Sequence, residues 1–385
     1  MAGPRGRIMI VHPNAERGGS DYCLLRMVRE LSSMGWTCHV VTPSRSPLST
    51  ELLQAGAVLH VVPMRRITKS GSALYWLGYV AAWPIAVLRL MSIARRSRPT
   101  VVASNSLHSW YAWAVALLTR KPLVWHAREI VVQSSAALQL ERWLCRHFAD
   151  VVIAASRPVA DQLAGSRVVV VHDVPDPTEF TPARAGKFRA VSGIPDDVPL
   201  IGSAGRIDTW KGFEILLDAV PSIQSVRKDA YFVIAGGAVA GKEAFASTLA
   251  RRADQLENVY WMGERQDMPE LLADLDVFVL ASTEPEPFGS VLAEALAAGV
   301  PCVATDHGGS PEMLAQFSPE ISRLVPPRDQ KALAEAVLAL LPAGASSPGS
   351  RRLRPAQIMS RKTTFDTVYA AVVRGPQDIE KLADI

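Results

Sequence analysis

Two glutamates flank a short glycine-containing segment, with seven residues between them. They are Glu286 and Glu294, and the segment includes Phe288-Gly289-Ser290-Val291, whose last three residues open a predicted helix. Backbone N–H groups at a helix start lack partners within the helix, and the helix dipole adds positive charge there, so this segment favours an anion such as phosphate. Ionised carboxylates accept hydrogen bonds and pair well with sugar hydroxyls. The pattern therefore predicts a ligand that is part phosphate and part polyol.

A strand, a tight turn, a helix and a second strand are predicted to hold this segment. The apolar run 277–281 is typical of a buried parallel strand, and Pro285 and Pro287 prevent a helix directly after it. Apolar residues recur at helical spacing over 291–296, and a glycine and a proline then end the helix. The next strand, 301–305, leads into a turn with two glycines. The carboxylates and the helix start are thus placed in one strand-to-helix turn.

This stretch resembles the signature of the retaining GT-B glycosyltransferases of family 4. That signature runs Pro-Ser-x-x-Glu-x-Phe-Gly, then Glu-Ala-x-Ala-x-Gly-x-Pro-Val, then Gly-Gly-x-x-Glu. Ala281 stands where the family often has proline, and Cys302 stands where it usually has valine. The rest of the ordered match comprises Glu286, Phe288, Gly289, Glu294, Ala295, Gly299, Pro301, Gly308, Gly309 and Glu312. The resemblance implies an α/β protein of the GT-B fold, with two Rossmann-like doubly wound domains facing across an interdomain cleft.

A second motif supports the same resemblance. A predicted strand at 200–204 leads into Gly205-Arg206, and Lys211-Gly212 follows, which matches the family pattern Gly-Arg-x4-Lys-Gly. An arginine offers a planar fork and a lysine offers a point charge, a suitable pair for a diphosphate. The alternative is a solvated basic turn, which the co-occurrence with the two glutamates disfavours.

The resemblance implies a role for each of these residues. Arg206 and Lys211 would hold the diphosphate, with assistance from Gly205 and the backbone of residues 288–291. Glu294 would bind the ribose hydroxyls. The remaining carboxylate of the pair, Glu286, would bind hydroxyls of the donor sugar.

The first half of the chain resembles the family in architecture more than in motif. A short strand at 8–11 is followed by the turn Gly18-Gly19, which by resemblance faces the donor phosphates. On its own this turn is as consistent with a simple tight turn. A further strand ends at His126, which by resemblance points at the donor sugar, although a histidine at a strand end is more often structural.

The length of 385 residues predicts two domains. We assign 1–174 to an N-terminal acceptor domain and 175–355 to a nucleotide-sugar donor domain. A final helix at about 356–374 is expected to cross back to the first domain, as in relatives.

An uncharged aromatic stretch, 73–88, allows two interpretations. Its ends are basic: Arg65, Arg66 and Lys69 precede it, and Arg89, Arg95, Arg96 and Arg98 follow. It could be a core helix, or an interfacial helix at an anionic membrane, because aromatic and basic residues suit the headgroup region. A span needs about 20 apolar residues, and Pro84 interrupts this stretch, so a spanning helix is not expected. We favour peripheral membrane contact through 73–98.

Composition narrows the compartment and the partners. The net charge of +4, from 41 basic and 37 acidic residues, is too mild for a nucleic-acid-binding protein. Cys23, Cys38, Cys145 and Cys302 lack metal-ligand or disulfide-framework spacing, which predicts buried free thiols. The apolar run near the N-terminus is too short for a signal peptide. A cytoplasmic protein is therefore expected, including contact with the inner face of the cell membrane.

A metal site is not expected. The sequence Asp274-Leu275-Asp276 mimics the metal-binding motif of a different glycosyltransferase fold, but leucines at helical spacing place it at a helix-to-strand junction. We expect no catalytic metal and no cofactor beyond the donor substrate.

The sequence as a whole predicts a retaining glycosyltransferase that moves a hexose from a UDP- or GDP-sugar to a hydroxyl acceptor. A lipid-linked acceptor, in polysaccharide or glycolipid biosynthesis of the cell envelope, is favoured by the aromatic stretch. The alternatives are a glycosyltransferase acting on a soluble small molecule, a GT-B nucleotide-sugar epimerase and a non-catalytic nucleotide-binding module.

Overall fold

Short runs of β-branched and other apolar residues form parallel strands, and helices connect them along the chain. The computed structural model describes residues 5–14, 18–65, 72–131, 135–165, 167–341 and 363–384. The chain divides into two units, one formed by Met1–Asp173 with Arg361–Ile385 and the other by Val174–Ser360. Each unit contains one sheet, and the sequence-predicted pair of Rossmann-like domains is confirmed.

The first unit contains a seven-stranded parallel sheet in the order β3-β2-β1-β4-β5-β6-β7. Its strands are β1 (Gly6–Val11), β2 (Trp36–Thr42), β3 (Val58–Val61), β4 (Val101–Ser104), β5 (Leu123–Ala127), β6 (Val151–Ala154) and β7 (Val168–Val170). Its helices are α1 (Gly19–Ser33), α2 (Pro47–Gln54), α3 (Ala73–Ser97), α4 (Tyr111–Thr119), α5 (Ser135–Phe148), α6 (Arg157–Asp161), α14 (Phe365–Arg374) and α15 (Pro376–Glu380).

The second unit contains a six-stranded parallel sheet in the order β10-β9-β8-β11-β12-β13. Its strands are β8 (Leu200–Ala204), β9 (Tyr231–Ala235), β10 (Val259–Gly263), β11 (Val277–Leu280), β12 (Cys302–Thr305) and β13 (Ser322–Val325). Its helices are α7 (Lys187–Ser192), α8 (Phe213–Val226), α9 (Glu243–Ala253), α10 (Met268–Asp274), α11 (Ser290–Ala297), α12 (Ser310–Leu314) and α13 (Gln330–Leu340).

Both faces of the first sheet are buried. Alternate residues of a strand point to opposite faces, so Ile8 and Ile10 pack into a core that includes α1 and α14. Met9 and Val11 pack into the opposite core with α3 and α4. This arrangement explains why the strands are continuous apolar runs, as expected of parallel sheets covered on both faces.

The last described helices complete the core of the first unit. Phe365 and Tyr369 of α14 are fully buried there. Asp366 accepts a hydrogen bond from Trp36 Nε1 at 2.8 Å and pairs with Arg5 at 2.6 Å. The sequence predicted this helix at about 356–374; α14 begins at Phe365, and residues 356–362 lie outside the described residues.

Strand order reverses at one point in each sheet. In the first unit the reversal lies between β1 and β4, and in the second unit it lies between β8 and β11. Ligands of doubly wound sheets bind beyond the carboxyl ends of the strands at such switch points. The residues that directly follow these four strands are therefore the first place to look for a site.

All four cysteines are free and buried, which confirms the prediction from their spacing. Burial raises the pKa of Cys38 and of Cys145 to about 12. These thiols are packing residues.

The two aspartates of the metal-like motif hold a buried arginine. Asp274 Oδ2 accepts the backbone N–H of Arg189 at 2.9 Å, and Asp276 Oδ2 accepts Arg189 Nη2 at 2.8 Å. The same oxygen of Asp276 accepts the N–H of Leu200 at 2.8 Å. The pair thus connects α7 to the junction between α10 and β11.

Candidate active site

Glu286 lies in a turn of the second unit that the following loop contacts through its backbone. The N–H of Gly309 donates to the Glu286 carbonyl at 2.7 Å, and Thr305 Oγ1 donates to the Ser282 carbonyl at 2.9 Å. Gly308 has φ +62°, and a Cβ there would lie 2.3 Å from the Glu286 carbonyl oxygen. Only glycine fits this position, which gives the signature glycine a physical cause.

The loop after β8 approaches the same turn from the other side. Gly212 has φ +70°, and a Cβ there would lie 1.8 Å from the Ala281 carbonyl oxygen. The N–H of Thr283 donates to the Trp210 carbonyl at 2.7 Å. This backbone contact fixes the residue between Trp210 and Gly212, which is Lys211, beside the turn.

Lys211 and Glu286 form an ion pair at the centre of these contacts. Lys211 Nζ lies 2.9 Å from Oε1 and 2.7 Å from Oε2 of Glu286, and both side chains are about nine-tenths buried. Ser282 Oγ donates to Oε2 at 3.0 Å. The ammonium also lies 4.3 Å from the centre of the Trp210 ring, a cation–π distance. The sequence predicted both residues as site residues, and the structure brings them into direct contact.

Arg206 lies beyond the carboxyl end of β8, in the same loop as Lys211. The N–H of the preceding Gly205 donates to the Ala235 carbonyl at 3.0 Å, at the end of β9. The Arg206 side chain is exposed and has no hydrogen bond or ion pair with any residue of the described ranges. A guanidinium in this state is available to a ligand.

The helix after the turn, α11, begins as the sequence predicted. Its N-cap is Gly289, in the left-handed region at φ +86°, and no side chain caps the helix there. Ser290 and Val291 form its first turn, and Phe288 packs in the interior beside them. Glu294 lies one turn further along and is 8% exposed. The helix start and both carboxylates therefore lie in one continuous segment, formed by the turn after β11 and by α11.

His307 is a candidate that the sequence identified only as part of a turn. Both of its ring nitrogens are buried, and neither has a hydrogen-bond partner among the described residues. Ser310 Oγ, three residues later, is also buried without a partner in that part of the chain. A half-buried histidine directly before the glycines that contact Glu286 could have been noticed from its position.

His126 lies inside the first unit, and the expectation that it points at a donor sugar stays a prediction. The ring is 1% exposed, and Nε2 lies 2.8 Å from the hydroxyl of Tyr369. Phe365 packs beside it, with ring centres 5.9 Å apart. Burial, with a contribution from the charge of Arg128, lowers the pKa of His126 well below its usual value.

The Gly18-Gly19 turn lies at the start of α1, just beyond the carboxyl end of β1. Gly18 is the N-cap and is extended at φ −157°, a conformation that other residues adopt, and Gly19 is the first helical residue. The Gly18 carbonyl accepts the N–H of Asp21 at 3.0 Å. Residues 15–17 lie outside the described residues.

A chain of polar side chains, three of them buried and Arg128 partly buried, lies beyond the ends of β1, β4 and β5, and the sequence analysis missed it. Its members are His12, Asp21, Asn105 and Arg128. His12 Nε2 lies 2.7 Å from Asp21 Oδ1, and Asn105 Nδ2 lies 3.0 Å from His12 Nδ1. Arg128 Nε donates to Asn105 Oδ1 at 3.2 Å. The available signal was that His12 directly follows the predicted strand at 8–11.

Helix α3 exposes an apolar face. Leu74, Leu77, Ile85 and Leu88 lie on one face at helical spacing, and Leu77 and Leu88 are 67% and 70% exposed. The helix runs through Pro84 without a break to Ser97, so the expectation that this proline interrupts it is wrong. By length and composition alone it is the one helix among the described residues that could cross a membrane.

Basic residues surround this helix. Arg89, Arg95 and Arg96 on α3 are exposed, and the Arg65 guanidinium lies 5.4 Å from the centre of the Tyr75 ring. The predicted flanking residues Arg66 and Lys69 lie outside the described residues. The exposed surface is thus apolar at its centre and positively charged at its ends.

Family models match both halves of the chain. Residues 185–351 match the model described as "Glycosyl transferases group 1", and residues 17–178 match the one described as "Glycosyltransferase Family 4". Together the two matches cover most of the chain.

Curated relatives and solved structures agree with these models. The chain is 27% identical to a lipopolysaccharide core biosynthesis mannosyltransferase of Rhizobium meliloti, over 72% of this chain and 87% of the relative. It is 29% identical to a GDP-mannose-dependent phosphatidylinositol monomannoside mannosyltransferase of Corynebacterium glutamicum, over 79% and 74%. The fold matches Anabaena HepE, solved with UDP and glucose, at a TM-score of 0.75 and 24% identity over 98% and 99% of the chains.

Proposed function

The chain belongs to the GT-B glycosyltransferases of the family 4 type, and on this premise we propose that it transfers a hexose from a UDP- or GDP-sugar to a hydroxyl acceptor with retention of anomeric configuration. The observation that carries the proposal is the contact of Lys211 with Glu286 beside the uncapped start of α11. It joins a phosphate-binding cation, a hydroxyl-binding carboxylate and helix amides in one place.

The diphosphate of the donor binds to the cations of the loop after β8. Arg206 supplies an exposed guanidinium with no partner in the described part of the chain, and Lys211 supplies an ammonium next to it in the loop. The start of α11 at Gly289 adds backbone donors and the positive end of the helix dipole. These groups stabilise the negative charge that develops on the leaving diphosphate, so we propose that transfer needs no divalent metal.

The carboxylates bind the sugars of the donor. Glu286 accepts hydrogen bonds from hydroxyls of the transferred hexose, and Glu294 accepts them from the ribose. Glu286 already accepts from Lys211 and Ser282, so its carboxylate is held in one orientation. A fixed acceptor of this kind selects the position of hydroxyls on the hexose ring.

Retention follows if both departure and attack occur on one face of the hexose. The bond between the anomeric carbon and the diphosphate oxygen breaks, and the acceptor oxygen forms its bond on the same face. The departing phosphate oxygen takes the proton of the acceptor hydroxyl. The positive charges of Arg206 and Lys211 make this departure possible. No side chain is needed as a covalent nucleophile.

The acceptor is proposed to be lipid-linked and to belong to cell-envelope biosynthesis. The supporting observation is the exposed apolar face of α3 with arginines at its end, which fits an anionic membrane surface. The two curated relatives above act, by their names, on lipopolysaccharide core and on a phosphatidylinositol mannoside. We therefore place the protein in the cytoplasm, in peripheral contact with the inner face of the membrane.

Thermal unfolding with a panel of nucleotides tests the donor half of the proposal. UDP, GDP, ADP and their common sugars are added without metal, and at a hundredfold excess over the dissociation constant a ligand stabilises the native state by about 2.7 kcal/mol. A selective rise of the midpoint with one uridine or guanosine nucleotide is expected. No rise with any nucleotide, in a folded protein, would overturn the proposal. The same measurement on Lys211→Ala tests the proposed diphosphate-binding cation. Its control is Lys228→Ala, which removes an exposed lysine elsewhere in the second unit.

A further inference from the structure

Three neighbouring strands of the first sheet each end in a member of one hydrogen-bonded chain. His12 follows β1, Asn105 follows β4 and Arg128 follows β5, and these strands are adjacent in the sheet. The reversal of strand order lies between β1 and β4. The chain therefore occupies the position where doubly wound sheets bind ligands.

The atoms of this chain have only one consistent assignment. Arg128 Nε can only donate, so the Asn105 atom that it contacts at 3.2 Å is the carbonyl oxygen. The Asn105 amide nitrogen then donates to His12 Nδ1 at 3.0 Å, which must be unprotonated. The ring proton is therefore on Nε2 and is donated to Asp21 at 2.7 Å. Each residue thus orients the next: Asp21 accepts from His12, His12 accepts from Asn105, and Asn105 accepts from Arg128.

Arg128 contacts no carboxylate with its guanidinium among the described residues. Its Nε binds a neutral amide oxygen, and its Nη2 is buried with no partner in the described ranges. Leaving a buried charged donor without a partner costs more free energy than leaving a neutral one without a partner. A guanidinium that is held through Nε, and whose buried Nη2 has no partner in the described part of the chain, indicates that an anion completes the site.

The nearby carboxylates are occupied by other partners. Both oxygens of Asp173 accept from Arg26 Nε at 3.1 Å. Glu129 accepts Ser106 Oγ at 2.5 Å and the backbone N–H groups of Leu107 and of Arg128 itself at 3.2 and 3.0 Å. Burial would raise the pKa of Asp173, but the charges of Arg26 and of Arg128 outweigh it and lower that pKa. No hydrogen bond joins either carboxylate to the Arg128 guanidinium among the described residues.

We propose that the Arg128 guanidinium binds an anionic group of a substrate, a phosphate or a carboxylate, at the switch point of the first sheet, and that His12 and Asn105 are its positioning residues. The inference rests on the proposed function only in assigning the anion to a substrate. Two sources share this chemistry, namely an anionic group of the acceptor and the diphosphate of the donor.

The experiment follows Arg128 directly in the full-length protein. The protein is labelled with ¹⁵N-arginine, and its Nε–Hε signals are recorded during titration with inorganic phosphate at constant ionic strength. Arg128→Gln identifies the signal by its loss. A saturable shift of that signal is expected, and Arg146→Gln, which removes an exposed arginine of α5, should leave the titration unchanged.

Asn105→Asp tests the positioning role. The new carboxylate contacts Arg128 and neutralises it, so the dissociation constant for phosphate should rise at least tenfold. Arg128→Lys keeps the charge but loses the contact to Asn105, and an intermediate loss is expected. Circular dichroism and the thermal midpoint establish that each variant is folded. A wild-type signal that does not respond to phosphate overturns the inference whatever the variants do.

A nucleotide arm separates the two sources. If saturating UDP or GDP abolishes the phosphate shift, the anion is the donor diphosphate; if the shift persists, it belongs to the acceptor. The same affinity in wild type and a folded Asn105→Asp would contradict the proposal. Nucleotide binding in a protein whose Arg128 signal does not respond to phosphate overturns this inference alone, and a phosphate response at Arg128 without any nucleotide effect on stability overturns the proposed function alone.

Discussion

The ammonium of Lys211 lies 2.7 Å from Glu286 Oε2, and both side chains are about nine-tenths buried. Under the proposed function, the cation for the diphosphate and the carboxylate for the sugar neutralise one another until the donor arrives. Binding of the donor must therefore divide this pair, with Lys211 turning to phosphate and Glu286 to hydroxyls. Variants of Lys211 and of Glu286 can therefore measure separately what each residue contributes to donor binding and to transfer.

We predict that Glu286→Gln strengthens the binding of UDP or GDP alone and weakens transfer. Removing the carboxylate leaves Lys211 available to the diphosphate and removes a repulsive charge, while the hydroxyl contact that orients the hexose is lost. Calorimetry should show a lower dissociation constant for the nucleotide, and kcat should fall by about 10²-fold. Glu257→Gln, at an exposed position in the second unit, is the matched control. Weaker nucleotide binding in Glu286→Gln would contradict the ion-pair exchange.

Lys211→Ala should reduce kcat/KM by about 10²- to 10³-fold, because a cation at the leaving diphosphate is lost. It also leaves Glu286 buried without its cation, so a lower thermal midpoint is expected. The double variant Lys211→Ala with Glu286→Gln should recover stability but not turnover. Undiminished turnover of the single variant would show that Lys211 does not act in the site.

Gly308→Ala should destabilise the protein and abolish donor binding. Both Gly308 and Gly241 have positive φ, at +62° and +80°, so alanine costs about 1–2 kcal/mol at either position for the backbone alone. Only at Gly308 does a Cβ collide, 2.3 Å from the Glu286 carbonyl oxygen. Overpacking adds about 1–3 kcal/mol and displaces the turn. Denaturant unfolding of the two variants measures the difference, and equal losses would mean that the close approach is unimportant.

Replacing Leu77 and Leu88 by aspartate should abolish binding to anionic vesicles. Each leucine buried in a membrane contributes about 1.5–3 kcal/mol, so the double variant should lose well over 100-fold in partitioning. Leu53→Asp on α2, where the side chain is 55% exposed, is the control. Co-sedimentation with vesicles of anionic and of neutral lipid measures the effect. Equal sedimentation of all three proteins would favour a soluble acceptor.

Stability should fall as the pH falls below about 6.5, partly through His126. Its pKa is lowered by burial in the folded state, whereas the unfolded chain has the usual value of about 6.5. Below that value the unfolded state binds a proton that the folded state does not, so the free energy of unfolding decreases toward low pH. His126→Gln keeps a polar contact with Tyr369 and should reduce this slope by up to about 1.4 kcal/mol per pH unit. An unchanged slope in urea unfolding at pH 5 to 7 would show that His126 does not titrate as inferred.

The sequence predicted the site of the second unit better than that of the first. Close backbone contacts within the unit require glycine at positions 212 and 308. A requirement of this kind is visible in the sequence as a glycine. The position of His126 could not be predicted in the same way, because the residue that covers it, Tyr369, is 243 positions away in the chain. The sequence predicted the strand that ends near His126 but not which helix covers the ring.

The polar chain of the first unit was hidden for a related reason. His12, Asn105 and Arg128 each follow a strand in the structure, but the sequence analysis predicted only the strand directly before His12. Their contacts depend on β1, β4 and β5 being neighbours, and strand order is decided by how the crossover helices pack. A residue pattern within one strand carries no information on which strand lies beside it.

The return of the chain to the first unit has a consequence for synthesis. On the ribosome the residues up to Asp173 emerge first, yet the core that they form is closed by Phe365 and Tyr369 of α14. Until α14 emerges, the apolar face of the sheet that carries Ile8 and Ile10 lacks its cover. The second unit, whose described core residues lie between Ile201 and Leu341, needs no residue from either end of the chain. The unit translated second is thus able to fold before the unit translated first. Nascent chains that end before α14 expose an apolar surface to which chaperones can bind.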